Sequence, residues 1–331
     1  MESSDFHNSM VGRMDIVCCF DHNFVMPTGV MTYSLCVNNK SSGVVFHFIT
    51  DESVTQQDKI DLFNITSKFV EKRIEFYPID STFFKTLPQL DGRLLTQATY
   101  YRLFLSEILP STLNKVLYLD GDMIVCQSLL KLWNIDISNV ALAGVPDLLS
   151  NKETCKRLAC PSQLTYFNAG VLLINLDYWR KHHVISQFMD YINFNGDNLY
   201  YHDQDVLNYV FRERKLLLPL EYNIISVFLF RYNQQQIKEM GLDVKSALKH
   251  PFIVHFTDVT KPWQRTENTP SDPHPFAKDY VFYQSKTLWK GAFNDLRPFK
   301  IRIRRFLGDF LRKIGLKAEI KNTYISLQDD V

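Results

Sequence analysis

Short, uninterrupted apolar runs recur through the first part of the chain, each closed by polar or turn-forming residues. Asp15–Phe20 (DIVCCF), Val44–Thr50 (VVFHFIT), Arg73–Ile79 and Lys115–Leu119 (KVLYL) read as strands buried on both faces. Between them, Pro27–Val37 reads as a helix with proline in its first turn. Thr55–Phe69 reads as a second helix with Ile60, Phe63 and Ile65 on its apolar face, and Thr99–Ile108 as a third, ended by Pro110. This alternation predicts a doubly wound, Rossmann-like, mostly parallel sheet with helices on both faces and right-handed crossovers. Met123–Cys126 adds a short strand, and after Asp136 the segments shorten. Ala141–Val145, Gly170–Leu176 and Leu216–Pro219 read as strands, Gln204–Arg212 as a helix and 264–278 as a loop.

The chain has 331 residues, 46% hydrophobic and 14% aromatic, enough to build a packed core, so wholesale disorder is excluded. The net charge is +1, which argues against a protein that coats nucleic acid and leaves no nucleic-acid partner expected. That average conceals a division. Residues 297–321 hold nine basic and two acidic residues, a local charge of +7 that leaves about −6 for the rest. Within this stretch Phe299, Ile303, Phe306, Leu307, Phe310 and Ile314 recur at helical spacing, with Arg302, Arg305, Arg312 and Lys313 away from them. Such a basic amphipathic helix suits an anionic membrane surface. The alternative is a helix docked on the acidic body with a solvated cationic face. No apolar run approaches the roughly 18 residues of a membrane span. Residues 1–13 are polar, so no signal peptide is expected. The six cysteines form no CxxC pair and read as buried, reduced thiols.

In open α/β sheets, ligands bind beyond the carboxyl ends of the strands, and Asp21 and Asp120 both lie at such ends. Asp120-Gly121-Asp122 follows the buried run KVLYL; in a turn at Gly121 the two carboxylates can converge on a hard cation such as Mn²⁺ or Mg²⁺. Taken alone, the triplet is more often a turn with solvated acids; the buried run before it favours the metal reading. His255, inside the apolar run FIVHFT, is either a satisfied core histidine or a third ligand, and Lys261 is either a phosphate-binding charge or a surface lysine. Arg102 reads as an ion-pair member, Asn168 as a turn residue, and Asp203 and Asp205 as acids at a helix N-terminus, with Gln204 exposed, unless they serve a site. Neither glycine-rich phosphate loop, G-x-G-x-x-G or G-x-x-x-x-G-K-[ST], is present, so a nucleotide would be held through a metal and side chains.

Six ordered blocks resemble glycosyltransferase family 8, in particular its bacterial lipopolysaccharide core α-glucosyl- and α-galactosyltransferases. They are DIVCCFDHNF (15–24), TYYRLFLSEILP (99–110), KVLYLDGDMIV (115–125), YFNAGVLLINLDYWR (166–180), YHDQDVLNYVF (201–211) and HFTDVTKPW (255–263). The resemblance implies an A-type glycosyltransferase fold over 14–280, with a nucleotide-binding half (14–136) and an acceptor half (137–280). A polar extension (1–13) would precede it and a helical membrane-association region (281–331) would follow. It implies a retaining transferase that uses UDP-glucose or UDP-galactose and a divalent cation. Asp120, Asp122 and His255 would hold Mn²⁺; Asp21 and Asn23 would contact uridine and ribose; Arg102 and Asp147 would touch the donor. Asn168, Asp203 and Gln204 would line the sugar pocket, and Lys261 would hold the diphosphate. Asp203, Gln204 and Asp122 are the candidate catalytic residues.

In that reading the acceptor is a lipopolysaccharide core hexose, and the enzyme sits in the cytoplasm, peripheral on the inner face of the inner membrane through 297–321. Asp258 stands where the family commonly has glycine, and an acid there would repel a diphosphate. A different acceptor (capsule, glycoprotein or self-glucosylation) or a non-catalytic sugar-nucleotide module are the alternatives.

Overall fold

All four apolar runs of the first part form strands, and helices pack on both faces of the sheet they build. The structure, a computed structural model, describes residues 12–84, 87, 98–148, 152–161, 166–195, 199–257, 261–318 and 322–327. The principal strands are β1 (Met14–Phe20), β2 (Val44–Thr50), β3 (Lys72–Pro78), β4 (Lys115–Leu119), β5 (Met123–Val125), β6 (Leu142–Pro146), β7 (Phe167–Asn175), β8 (Lys215–Leu217), β9 (Ile224–Ile225) and β10 (Ile253–His255). Seven of them form one sheet in the order β3-β2-β1-β4-β7-β6-β8. The β3–β2–β1–β4 pairings and β6–β8 are parallel, whereas β7 runs antiparallel to both β4 and β6. Residues 14–136 and 137–280 therefore contribute strands to one continuous sheet.

Strand burial follows the pleat. In β7, Val171 and Leu173 join the core under the helix Val25–Asn38, and Leu172 and Ile174 join the core on the opposite face. The helix Gln56–Thr66 starts from a reciprocal cap in which Thr55 and Asp58 bond each other's backbone N–H groups. Its buried face is Asp58, Leu62, Ile65 and Thr66, which corrects the expected one: Ile60 and Phe63 are 42% and 44% exposed. Phe63 instead covers Phe76 of the edge strand, ring centroids 5.6 Å apart.

A second correction concerns Thr99–Ile108. It is α-helical over Ala98–Tyr101, tightens to a 3₁₀ turn over Arg102–Phe104 and resumes over Leu105–Ile108. β7 begins before the expected Gly170, so Asn168 lies in a strand rather than a turn. The cysteines are all free, but only Cys18 and Cys36 are fully buried. Burial pushes the Cys36 and Cys126 thiols up to about 12.

Two topological facts create the site. The strand order reverses direction at β1, whose neighbours β2 and β4 come from opposite sides, so a crevice opens at the carboxyl ends of β1 and β4. Because β7 is antiparallel to β4, its amino end meets β4's carboxyl end; the Asp120 N–H donates to the Gly170 carbonyl at 2.9 Å.

The basic segment forms the helix Phe299–Lys313. Arg305 donates to the Thr269 carbonyl at 2.6 Å and to that of Glu267 at 2.8 Å, tying one polar edge to the body. The apolar face points outward: Phe299 and Phe306 are each 72% exposed, and Ile303, Leu307, Phe310 and Ile314 are exposed beside them. Beyond this helix the chain returns to the body, where Tyr324 bridges to Phe230 and stacks on its ring, and Asp272 accepts from the Thr323 and Tyr324 N–H groups. Among the described residues no helix is long and apolar enough to cross a membrane.

Candidate active site

A cavity of about 250 Å³ occupies the crevice. Its walls come from the end of β1 (Cys19, Phe20, Asp21), from Thr99 and Arg102, from the Asp120–Asp122 turn, from Asn168–Gly170, from Tyr201–Gln204, and from His255, Thr257 and Lys261.

β5 pairs antiparallel with β10 in a register that sets His255 opposite Met123, and the Phe256 N–H donates to the Asp122 carbonyl at 2.9 Å. That register brings the imidazole to the carboxylates. His255 Nε2 lies 3.0 Å from Asp122 Oδ1 and 3.6 Å from Asp120 Oδ2. One ligand atom from each of the three side chains lies within 4.8 Å of the others. Two carboxylates and an imidazole form a donor set suited to Mn²⁺. Gly170 leaves room for it: a Cβ there would meet His255 Cε1 at 2.2 Å and Asp120 Oδ2 at 2.7 Å. The donor set and the cradle therefore fit a divalent cation. Gly121 serves close packing, since a Cβ there would stand 2.3 Å from Thr28 Oγ1 on the neighbouring helix.

Cations flank both acids. Lys261 Nζ donates to Asp122 Oδ2 at 2.5 Å and also to the Phe256 carbonyl. Burial alone would raise the Asp122 carboxyl, but Lys261 and His255 outweigh it and hold the group well below the usual carboxylate range. Arg102 is buried over the Tyr118 ring, with its guanidinium 3.0 Å from Asp120 Oδ1 and 3.0 Å from Asp203 Oδ2, and it donates to the Ala169 carbonyl at 2.7 Å. The tightened 3₁₀ turn at Arg102 lies where this bridge is made. Arg102 is thus both an ion-pair member and a wall of the cavity.

Asp203 and Gln204 open the helix His202–Val210, behind a His202 whose φ of 46° is rare for a non-glycine residue. They do more than complement a helix dipole. Asp203 is buried, and this burial, opposed by Arg102 and reinforced by Asp120, pushes its carboxyl up to about 7. Gln204 accepts from the Ala169 N–H at 2.9 Å and donates to Asp147 Oδ2 at 3.3 Å and to the Tyr166 hydroxyl at 3.1 Å. Asp205 is a structural anchor, paired with Arg157 at 2.7 Å and accepting from Tyr166 at 2.9 Å.

The remaining candidates sit at different depths. Asp21 lines the cavity and accepts the Asn23 N–H at 2.9 Å. Asn23 is exposed and lines an adjoining cavity of about 540 Å³ that shares Phe24 and Lys261 with the first. Asp147 is buried behind Asn168 and Gln204, accepting from Asn168 Nδ2 at 3.0 Å. Asp258 lies outside the described residues.

Residues 15–267 match the profile of Glycosyl transferase family 8. The chain belongs to this family. Among its relatives, general stress protein A of Bacillus subtilis is 28% identical over 284 residues, covering 85% of this chain and 96% of that protein. Lipopolysaccharide 1,2-glucosyltransferase of Escherichia coli K12 is 29% identical over 276 residues (82% and 77% covered). Lipopolysaccharide 1,3-galactosyltransferase of Salmonella typhimurium is 26% identical over 328 residues (93% of each). Among solved structures, the galactosyltransferase LgtC, in complex with donor and acceptor sugar analogues, superposes with a TM-score of 0.70 at 24% identity (88% and 100% covered). The fold is that of the A-type, LgtC-like glycosyltransferases.

Three participants escaped the sequence-based reading. Tyr118 donates to Asp120 Oδ1 at 2.7 Å, and Gly170 shapes the cradle. Asn223 contacts both His255 and Asn168. Of these only Asn223 left a trace in the sequence, as a lone amide wedged against the apolar run Ile224–Phe230.

Proposed function

We propose that this protein transfers glucose or galactose from a UDP-sugar to a hexose of the lipopolysaccharide outer core, forming an α-linkage with retention and using Mn²⁺ or Mg²⁺. The observation that carries this reading is the convergence of Asp120, Asp122 and His255 in the crevice between β1 and β4. Bound there, the cation would offset the charge that the departing diphosphate gains. Lys261, already directed at this point, holds diphosphate charge from the protein side. Asp21 and Asn23, at the end of β1, receive the ribose and uracil, and Phe24 and Lys261 line the path between the two cavities. Arg102, Asn168, Asp203 and Gln204 orient the hexose, with Asp147 fixing the two amides from behind.

Retention has two routes: a covalent sugar on Asp203, or attack by the acceptor from the departing side, its proton passing to the diphosphate. Burial disfavours ionised Asp203, which favours the second route. Trapping a hexose ester on Asp203 would refute it.

The lipopolysaccharide acceptor rests on the lipopolysaccharide transferases among the relatives. Similarity to general stress protein A supports a second reading, the same transfer to another acceptor. A screen of UDP-sugars against truncated core lipopolysaccharides, followed by linkage analysis, decides between them. We expect hexose transfer to one truncated core; no transfer to any core with either donor would sink the first reading. The outward apolar face of Phe299–Lys313, rimmed by exposed Arg302 and Arg304, supports peripheral attachment to the anionic inner face of the inner membrane.

A further inference from the structure

Asn223 is an uncharged amide with no exposed surface, set between the 3₁₀ turn Leu220–Tyr222 and β9. A buried amide carries a desolvation cost unless its polar atoms are matched. Both ends of this one are matched, and its partners belong to two different parts of the site. One end lies 2.9 Å from Asn168 Oδ1, the other 3.1 Å from His255 Nδ1.

The direction of these hydrogen bonds follows by elimination. The Gly170 N–H points at Asn168 with a contact of 3.0 Å, and a backbone N–H can only donate, so the atom facing it is the Asn168 oxygen. The other end of Asn168 then carries its NH₂, which donates to Asp147 Oδ2 at 3.0 Å and to Gln204 Oε1 at 3.3 Å. Asn223 must therefore present its own NH₂ to the Asn168 oxygen. Its oxygen is left facing His255 Nδ1, and an amide oxygen can only accept. Nδ1 thus carries a proton, which leaves Nε2, 3.0 Å from Asp122 Oδ1 and 3.6 Å from Asp120 Oδ2, as the nitrogen that would turn its lone pair to a cation bound between the acids.

We infer that Asn223 is a positioning residue that selects the Nδ1–H form of His255 and locks the metal-binding imidazole to Asn168 in the sugar pocket. This rests on the metal reading of Asp120, Asp122 and His255. A ligating histidine is oriented by whatever receives its other ring N–H. Here the receiver is itself held by Asn168, so the relay Gly170–Asn168–Asn223–His255 joins the hexose end of the cavity to its cation end. A flipped ring or the other tautomer would take the Nε2 lone pair away from a cation held by Asp120 and Asp122.

The test combines ¹⁵N NMR of histidine-labelled protein with binding of Mn²⁺, followed by the EPR signal of the free ion. The His255 resonances are assigned by their loss in His255→Gln. In wild-type protein with Mg²⁺, Nδ1 of His255 is expected to carry a proton and Nε2 none. A proton on Nε2 with Nδ1 bare would overturn the inference without any variant being made. Asn223→Leu removes both hydrogen bonds at similar volume and is expected to weaken Mn²⁺ binding by about 10- to 100-fold. Asn223→Asp keeps an acceptor for His255 but loses the donor to Asn168. It is expected to retain wild-type Mn²⁺ affinity while raising KM for the sugar nucleotide about tenfold. Unchanged Mn²⁺ affinity in a folded Asn223→Leu, or equal losses of Mn²⁺ affinity in both variants, would contradict the relay. Should wild-type protein bind neither Mg²⁺ nor Mn²⁺, the metal reading fails. The Nδ1 proton of metal-free His255 then tests the Asn223 contact alone: slow exchange in wild type and fast exchange in Asn223→Leu are expected, and equal exchange rates count against it.

Discussion

Asp203 and Asp122 face the same cavity and are pushed in opposite directions by it. Burial pushes Asp203 up to about 7, so an unfolded chain gives up this proton near 3.8 while the folded protein keeps it. Between those values the native state binds more protons than the unfolded one, so this group's contribution to stability falls as pH rises from 3.8 to about 7. Asp203→Asn has no such proton to lose. Its stability relative to wild type, read from urea unfolding, should grow between about pH 4 and about pH 8. A shrinking difference would contradict the burial of an acid here. Asp122 behaves conversely. Burial works against its charge but Lys261 and His255 win, so it stabilises the protein above 3.8 and loses that contribution as pH falls below it. Gly170 is the other residue with a sharp requirement. A methyl group there would collide with His255 and Asp120, so Gly170→Ala should cost about 1–3 kcal/mol in urea unfolding and weaken Mn²⁺ binding. An alanine variant with unaltered stability and Mn²⁺ affinity would show that the cradle is looser than its distances indicate.

At the level of elements, strands buried on both faces were legible because an apolar run is their direct signature: β2 and β4 fall on the expected residues, and β1 and β3 within a residue. β7 was legible only from Gly170 onward, because Asn168 has a turn-former's composition and its strand pairing is a long-range fact. The Gln56–Thr66 helix was found, but its face was misread: Ile60 and Phe63 are apolar yet sit off the Asp58–Leu62–Ile65 stripe. In the Asp-Gly-Asp turn both acids were identifiable from their place after a strand, while the partners that give them meaning, His255 and Asn223, come from elements more than 100 residues away. The basic segment is helical over Phe299–Lys313, and the structure changes how its expected membrane role should be tested. Cutting the chain after Asp295 would also remove the Tyr324 bridge to Phe230, so loss of function there could reflect the body. Phe306→Glu with Phe310→Glu alters only the outward face. We expect this double variant to lose co-sedimentation with anionic vesicles while hydrolysing or transferring from UDP-sugar as wild type does. Equal sedimentation of the two proteins would refute a membrane role for the face.

Across the whole molecule, a net charge of +1 resolves into an acidic body and a +7 segment, and each part has its own expected counter-charge. The sheet explains why the body's acids gather where they do: the order reverses at β1, and antiparallel β7 delivers Asn168 and Gly170 to the end of β4. Composition could bound this arrangement but could not reveal it, since no local pattern specifies that β7 runs against β4. The central claim is that Asp120, Asp122 and His255 form a metal site on which sugar transfer depends. Its most direct test is UDP release from UDP-glucose and UDP-galactose, with a truncated core lipopolysaccharide as acceptor. Wild type and Asp122→Ala are compared with Mn²⁺ and after chelation. The account predicts turnover by wild type with Mn²⁺ on one of the two donors, and none after chelation or in Asp122→Ala; undiminished turnover in the variant or in chelator would contradict it.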